Sequence, residues 1–346
     1  MKALVLQDFG VLTVAERSAP EPGPGEVVIA LIAAGICGTD IHGYTGENGR
    51  RQPGQVMGHE CVGRVAAVGP DTDAPAVGTV VTFNPVVLPA GSRASYAGRE
   101  QHSPDKYVIG VRADVSAGWA EQVVVPVENV VVLPAEMPVV HGALVEPFAV
   151  AVHAVRRVAA GSADRVLVIG GGPIGQSVVL ALRRAGVGSI AVSEVSAPRR
   201  ELLRRLGATP IDAQSPTCRD DVLAALDGPA TVTIDAVGID ATMALALSAT
   251  VIGGTIGLVG MGSKQLSLDA FSISTAERSV VGCFTYSDDD FRAAADWIGG
   301  SAELADLLIS RQITPNEADA TVASLAAGDD TAGKVIIRLD RFTDHT

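Results

Sequence analysis

A glycine-rich turn in the middle of the chain constrains the fold more than any other feature. It reads Gly170-Gly171-Gly172-Pro173-Ile174-Gly175 and lies between an apolar run, 165–169, and a segment with helical spacing, 175–185. Glycines at 170, 172 and 175 permit a tight turn, close approach of the backbone to a pyrophosphate, and close packing of helix on strand. The phosphates would lie at the helix N-terminus, where unpaired N–H groups favour an anion. The turn therefore predicts a dinucleotide-binding βαβ unit.

Strand and helix segments alternate around this turn. Strands are predicted over 189–193, 231–236 and 255–259, and helices over 147–160 and 198–206. Such alternation is typical of a parallel, doubly wound sheet. We therefore expect an α/β fold with a Rossmann-type NAD-binding domain at residues 148–287.

The remaining segments read mainly as strands and loops. Strands are predicted over 27–36, 61–68, 78–83 and 120–132, and the last of these is interrupted by Pro126. Residues 84–110 show no periodicity and are expected to form a lobe. One or two helices from Asp288 and a final strand at 334–339 complete the chain. We assign residues 1–147 and 288–346 to a second, mainly β catalytic domain.

An acidic residue, Glu194, follows the second strand of the predicted cofactor domain. A carboxylate there can accept hydrogen bonds from the adenosine ribose hydroxyls and would repel a 2′-phosphate. Arg199 and Arg200 lie close behind and could serve a phosphate. On balance the sequence favours NAD over NADP.

Metal-capable side chains cluster in the first third of the chain. Cys37-Gly38-Thr39-Asp40-Ile41-His42 is followed, after a loop, by Gly58-His59-Glu60. A thiolate, an imidazole and a carboxylate are ligands that zinc accepts in a catalytic site. Adjacent His59 and Glu60 can both ligate only if the backbone bends, which Gly58 permits. Thr39 and His42 could carry a proton away from a metal-bound alcohol, because histidine titrates near neutrality.

The composition bounds the class of protein. The chain has 346 residues, 47% of them apolar, and a formal charge of −13. It is therefore expected to be globular, with nucleic acid and anionic membranes disfavoured as partners. Four cysteines do not make a disulfide scaffold, and the N-terminus lacks the apolar stretch of a signal peptide. The cytoplasm is the expected compartment.

Taken together, these motifs resemble the medium-chain, zinc-dependent alcohol dehydrogenases, and more narrowly their polyol and threonine dehydrogenase branch. The matching stretches cover nearly the whole chain: 35–42, 58–60 with Gly63 and Gly69, 120–121, 145–147, 170–175, 235–238 and 333–335. The resemblance implies a GroES-like catalytic domain and a homodimer or homotetramer built by sheet extension between cofactor domains.

The resemblance also assigns roles to individual residues. It implies that Cys37, His59 and Glu60 bind one catalytic zinc, and that Glu146 either ligates the zinc or holds its water. It implies a relay through Thr39 and His42. It places Val237 and Gly238 near the nicotinamide, and Pro173, Ile174 and Val259 complete the predicted cofactor-binding set.

The lobe departs from the family pattern. Many members hold a structural zinc with four cysteines in a lobe that follows an Asn-Pro pair. This chain keeps Asn84-Pro85, but the four matching positions are Pro89, Ser92, Ser95 and Ser103. Proline cannot bind metal and serine is a poor zinc ligand. We therefore expect no structural zinc.

Two other functions remain open at this stage. One is a metal-free quinone or enoyl reductase on the same fold, and the other is a non-catalytic NAD(H)-binding protein.

The low aromatic content of 4% and a carboxylate among the zinc ligands favour a hydroxyl-rich secondary alcohol as the substrate of a dehydrogenase, such as a polyol, sugar, cyclitol or amino alcohol. Candidates for the cleft wall are Gly43-Tyr44, Trp119 and 284–286, and ordinary core or lobe packing is an equally open reading of each.

Overall fold

The computed structural model describes residues 1–47, 49–115 and 117–342. The chain divides into two compact units. The first comprises Met1–Glu146, Ser287–Asp330 and Lys334–Thr346, and the second comprises Pro147–Tyr286 with Thr331–Gly333. The main boundaries lie one residue from those expected, but the short segment 331–333 belongs to the second unit rather than the first.

The N-terminal part of the first unit consists mainly of strands. They are β1 (Lys2–Asp8), β2 (Val11–Glu16), β3 (Glu26–Gly35), β4 (Cys61–Val68), β5 (Val80–Phe83), β6 (Val86–Val87), β7 (Tyr107–Val108), β8 (Gln122–Pro126) and β9 (Val130–Val132). One α-helix, α1 (Gly38–Tyr44), follows β3. The strand expected over 120–132 is two strands, because residues 127–129 after Pro126 form a 3₁₀ turn.

The second unit alternates helix and strand. Its elements are α2 (Val145–Arg157), β10 (Arg165–Ile169), α3 (Pro173–Arg184), β11 (Ser189–Glu194), α4 (Ala197–Arg205), β12 (Thr209–Asp212), α5 (Cys218–Ala225), β13 (Ala230–Asp235), α6 (Asp240–Ala249), β14 (Thr250–Leu258), α7 (Ala270–Ser274) and β15 (Ser279–Gly282). All strands pair in parallel in the order β12-β11-β10-β13-β14-β15. This is the doubly wound order, with its switch point between β10 and β13.

The rest of the chain returns to the first unit. It contains α8 (Asp288–Gly299), α9 (Ala302–Leu308), β16 (Ile309–Ile313), α10 (Ala318–Ala326) and β17 (Lys334–Arg338). The sheet of this unit has the order β16-β17-β3-β4-β5-β9, and β8 also pairs with β3. Apart from the parallel β16–β17 pair, its neighbours are antiparallel.

The register of the first sheet brings distant residues together at one end. Gly35, the last residue of β3, lies opposite Ile336 of β17, and Ala34 lies opposite Cys61 of β4. Backbone bonds extend this pairing, because Gly35 donates to the Glu60 carbonyl at 2.8 Å and Ile36 donates to the Val335 carbonyl at 3.0 Å. The segments after β3, before β4 and at the start of β17 therefore meet at one place.

Each unit has its own apolar core. The first packs side chains of the β3–β4–β8 region, including Ile29 and Trp119, with β17 residues such as Ile337. The second packs β10 and β13–β14 against α5 and α6, around Leu167 and Met243. Among the described residues, the segment Val139–Arg157 is apolar and long enough to cross a membrane, but 67% of its window is buried inside the fold, as in an ordinary core helix.

Candidate metal centre and cofactor site

Cys37 lies between the end of β3 and the start of α1. It is the N-cap residue of that helix, with extended φ and ψ of −89° and 152°. Its backbone N–H donates to the Asp40 carboxylate at 3.3 Å. The helix cap therefore fixes the backbone that carries the thiol.

His59 and Glu60 lie where the chain enters β4, immediately after a backbone bend at Gly58. Gly58 has φ +98°, and a Cβ there would lie 2.2 Å from Cδ1 of the buried Trp119. Both the left-handed conformation and this close packing require glycine. The backbone at Gly58 takes this conformation just before His59 and Glu60, whose ligand atoms lie close together.

The ligand atoms of Cys37, His59 and Glu60 all lie within 4.8 Å of one another. Among the residues that the structure describes, no other group of three or more His, Cys, Asp and Glu side chains has its ligand atoms this close together. Glu60 Oε2 is buried without a hydrogen-bond partner among those residues, and a Cβ on Gly35 would collide with it. Thiolate, imidazole and carboxylate are the donor types that Zn²⁺ prefers, so these residues fit the metal.

A buried lysine that sequence reasoning gave no role contacts this group. Lys334 Nζ lies 2.6 Å from Glu60 Oε1 and 3.3 Å from the Ile36 carbonyl, and both side chains are almost fully buried. Burial alone would lower the pKa of Lys334, but Glu60, Cys37 and Glu146 outweigh it and raise that pKa. One oxygen of Glu60 is therefore held by an ammonium group, and the other remains for a metal.

A second buried ion pair lies behind His59. Asp40 Oδ1 is 3.0 Å from Arg51 Nη2 and 3.6 Å from His59 Nδ1, and both Asp40 and Arg51 have fully buried side chains. A carboxylate beside Nδ1 leaves Nε2 as the ring nitrogen for a metal. The Cys-Gly-Thr-Asp motif contained Asp40, but spacing alone did not reveal this contact.

The His59 ring lies in a strongly negative environment. Burial disfavours its charged form, but Asp40, Cys37 and Glu146 outweigh burial and raise the pKa of His59 to about 10. Glu146 lies in the first turn of α2 and is buried. Its charge is one of those that raise the pKa of His59. The negative charges that raise this pKa would also stabilise a metal cation at the same place.

Thr39 and His42 lie one turn apart on α1. Thr39 is half-buried, whereas the His42 side chain is 54% exposed and its Nδ1 lies 3.1 Å from Glu47 Oε2. The helix thus carries a half-buried hydroxyl two residues after Cys37 and an imidazole at the surface. This arrangement suits a proton path from the metal group to solvent.

The glycine turn of the second unit joins β10 to α3. Gly170 has φ +92°, and a Cβ on Gly175 would lie 1.9 Å from the Gly170 carbonyl oxygen. Gly172, the N-cap of α3, has open space around its Cα, and Pro173 is the first helical residue, followed by Ile174. Close packing at 175 and open space at 172 fit a pyrophosphate at the helix N-terminus.

Glu194, the last residue of β11, faces the same turn. Its Oε2 accepts from Gly171 N at 2.6 Å, and its Oε1 accepts from Ser196 N at 2.7 Å. Each oxygen keeps a lone pair for a ribose hydroxyl. Arg199 Nε donates to the Thr331 carbonyl at 3.2 Å.

Arg200 is engaged within the protein. Its Nη1 donates to the carbonyls of Glu194 and Val195, and its Nη2 lies 3.2 Å from Asp212 Oδ2. Contacts of this kind reduce its suitability for binding a cofactor phosphate.

Val237, Gly238 and Val259 lie at the carboxyl ends of β13 and β14. A Cβ on Gly170 would lie 2.5 Å from Val237 Cγ2, so the Val237 side chain borders the glycine turn. Val259 N donates to the Asp235 carbonyl at 2.9 Å. The predicted cofactor residues therefore gather at the switch point of the sheet, where ligands bind in open α/β folds.

Two predicted cleft-wall residues are core residues instead. Tyr44 is 4% exposed, and its hydroxyl donates to the Gly10 carbonyl and to Asp319. Trp119 is fully buried against Gly58. Both aromatic rings belong to the apolar core of the first unit, which residue type alone could not distinguish from a pocket wall. Of the third candidate segment, Tyr286 is fully buried and Phe284 is 45% exposed.

Comparisons with known proteins agree with this geometry. Residues 23–135 match the alcohol dehydrogenase GroES-like domain, and residues 173–300 match the zinc-binding dehydrogenase domain. A sorbitol dehydrogenase from Arabidopsis thaliana is 32% identical over 78% of this chain and 76% of its own. An L-galactonate-5-dehydrogenase from Escherichia coli K12 is 30% identical over 90% of this chain and 91% of its own.

A crystal structure of an alcohol dehydrogenase from Escherichia coli CFT073, complexed with NADH, superposes with a TM-score of 0.88. It is 27% identical and covers 98% of this chain and 99% of its own. The predicted α/β class with a GroES-like domain is confirmed. A parallel sheet with a glycine turn at its switch point, together with these matches, shows that the chain belongs to the zinc-dependent, medium-chain alcohol dehydrogenase family, in its polyol dehydrogenase branch.

Proposed function

We propose that this protein oxidises the secondary hydroxyl of a polyol, sugar, sugar acid or related alcohol, with NAD as the hydride acceptor. The observation that carries this proposal is the convergence of Cys37, His59 and Glu60 on one buried point. A metal-free reductase would have no use for such a group. The similarity to sorbitol and L-galactonate-5-dehydrogenases supports a hydroxyl-rich substrate.

Each residue has a defined task in this scheme. Cys37, His59 and Glu60 Oε2 would hold zinc, with Glu146 as a further ligand or as the acceptor for its water. When bound, zinc supplies Lewis acidity toward the substrate hydroxyl and NAD supplies the hydride acceptor. Thr39 would accept the hydroxyl proton at Oγ1 while its own hydroxyl proton passes, through the ribose of the bound cofactor, to His42, which would release a proton to solvent. Asp40 and Lys334 orient His59 and Glu60.

We further propose a preference for NAD over NADP. The Glu194 carboxylate would repel a 2′-phosphate, and Arg200 is occupied by two carbonyls and Asp212. Gly170, Gly172, Pro173, Ile174 and Gly175 would bind the pyrophosphate at the start of α3.

We also propose that the protein acts in the cytoplasm as a homodimer or homotetramer. Strand β15 lies at the edge of the parallel sheet, and Val280 within it is 37% exposed. Phe271 and Ile252 add exposed apolar surface, at 78% and 74%. An unpaired edge strand beside apolar surface suits a second copy of this chain.

The test of the function is metal analysis combined with turnover. We expect about one zinc per chain, and NADH formation with sorbitol-like polyols, more efficiently with NAD than with NADP. Cys37→Ser should lose the zinc and at least about 100-fold in kcat/KM, because a thiolate ligand is removed. Cys218→Ser, a buried cysteine on α5, is the matched control. Full turnover in metal-free protein would contradict the proposal.

A further inference from the structure

The Asp235 carboxylate organises the loop that connects β13 to α6. Asp235 ends β13 and is fully buried. Its Oδ1 accepts from Val237 N at 2.9 Å and from Gly238 N at 3.0 Å. Its Oδ2 accepts from Thr242 Oγ1 at 2.8 Å, and that hydroxyl oxygen accepts from Ile239 N at 3.0 Å. One side chain therefore closes the whole loop onto the start of the helix.

The same loop is bonded to the segment that follows β14. Val259 N and Gly260 N both donate to the Asp235 carbonyl at 2.9 Å, and Gly262 N donates to the Val237 carbonyl at 2.9 Å. Gly238 has φ +77°, and a Cβ on Gly260 would lie 2.2 Å from the Val237 carbonyl carbon. Two loops are thus held in close backbone contact.

This bonding fixes which surface the loop can present. The N–H groups of Val237 and Gly238 are both used by Asp235, so they are not free to donate to a ligand. The Val237 side chain, in contrast, borders Gly170 at the switch point of the sheet. The loop therefore offers a fixed apolar side chain at the place where a cofactor binds in this fold.

We propose that Asp235 is a positioning residue for the nicotinamide half of the cofactor. It acts through Val237 and Gly238 rather than by contact with the cofactor. The adenine half depends on other residues, the glycine turn and Glu194, so Asp235 should affect the two halves differently. This inference rests on the proposed function, because it requires that the second unit binds NAD(H).

The test compares NADH with ADP-ribose, which lacks the nicotinamide ring. Both affinities are measured on the purified protein, NADH by its fluorescence and ADP-ribose by calorimetry. For Asp235→Ala we expect NADH affinity to fall about 10-fold or more, because the Val237 and Gly238 N–H groups lose their acceptor, while ADP-ribose affinity stays within about 2-fold. Asp240→Ala, an exposed carboxylate at the start of α6, is the matched control and should change neither affinity.

Two further variants keep the test decisive if Asp235→Ala does not fold. Asp235→Asn retains an acceptor at Oδ1 and can donate to Thr242, so it should restore nearly normal NADH affinity. Thr242→Val removes the partner of Asp235 Oδ2. It should lower the affinity for NADH by about 3-fold and leave the affinity for ADP-ribose unchanged.

The outcomes separate the inference from the proposed function. The positioning role would be overturned if the Asp235 and Thr242 variants lowered the affinities for NADH and ADP-ribose equally, or lowered neither. A wild-type protein that bound neither ligand would instead overturn the NAD-dependent function and this inference with it.

Discussion

At the scale of single residues, the metal group is held by buried charges rather than by its ligands alone. Asp40 and Arg51 form a fully buried pair behind His59, and Lys334 holds one oxygen of Glu60. A buried charge is tolerated only when it is paired. The two pairs therefore hold Asp40 beside His59 and fix one oxygen of Glu60.

The Lys334–Glu60 pair gives a prediction at this scale. Lys334→Met should destabilise the metal-free protein by about 3–5 kcal/mol, because it leaves the buried Glu60 carboxylate without a cation. Zinc should recover part of this loss, since the ion supplies positive charge to Glu60 Oε2. Urea unfolding with and without zinc measures both values.

Lys2→Met is the control for the Lys334 variant, because the Lys2 ammonium group donates to a backbone carbonyl, that of Phe342, at 3.1 Å. Losses of the same size with and without zinc would show that Glu60 does not face the metal.

At the scale of elements, the lobe over residues 84–110 is tied down by a polar network. Glu100 is buried, and its carboxylate accepts from Gly98 N at 2.9 Å and from Asp288 N, at the start of α8, at 3.1 Å. Arg93 pairs with the Asp288 carboxylate and donates to Asn129 Oδ1 at 2.8 Å. Asn84 Nδ2 donates to Asp288 Oδ1 at 2.6 Å. Hydrogen bonds thus connect the lobe to α8 in this protein, whereas many family members hold the same lobe with a zinc bound to four cysteines.

The lobe should therefore depend on Glu100 and not on metal. Glu100→Ala should lower the free energy of unfolding by about 1–3 kcal/mol, because the part-buried N–H groups of Gly98 and Asp288 lose their acceptor, and it should speed proteolysis within 84–110. Added zinc should not restore resistance. Glu128→Ala is the control from the same network: its carboxylate is 47% exposed, so its ion pair with Arg93 should contribute less than about 1 kcal/mol. Zinc-dependent protection of the lobe would contradict this account.

At the scale of the whole molecule, the proposed self-association depends on the edge of the parallel sheet. Strand β15 pairs with β14 on one side, and no strand within the described ranges pairs with its other side. Val280 lies on this strand, and the exposed Phe271 lies on α7 just before it. An open strand edge beside apolar side chains is a site for strand addition.

We expect a dimer or tetramer that β15 substitutions dissociate. Val280→Lys should shift the population to smaller species at micromolar concentration, because a charge on an edge strand opposes pairing. Light scattering after gel filtration measures the mass. Val77→Lys, at a 65% exposed valine of the first unit, should leave the mass unchanged. A wild-type monomer at all concentrations would contradict the proposed assembly.

Local sequence was sufficient for much of the fold and for the ligand candidates. The strand at Cys61–Val68 and the βα turn at 165–175 follow from apolar runs and glycine positions, which act over a few neighbouring residues. The run over 120–132 forms strand on both sides of the interruption expected at Pro126, where a 3₁₀ turn divides it into two strands. The β1–β2 hairpin was missed because its alternation is weak.

The sequence by itself determined the family, the doubly wound sheet, and the residue types that could bind zinc and NAD, because each depends on short motifs with fixed spacing. Only the tertiary structure decided which distant side chains support those motifs. Lys334 reaches Glu60 across 274 residues because β17 and β4 both pair with β3. Arg51 reaches Asp40 within a buried site. Such pairs are formed by strand register and burial, and neither is encoded at any one position in the chain.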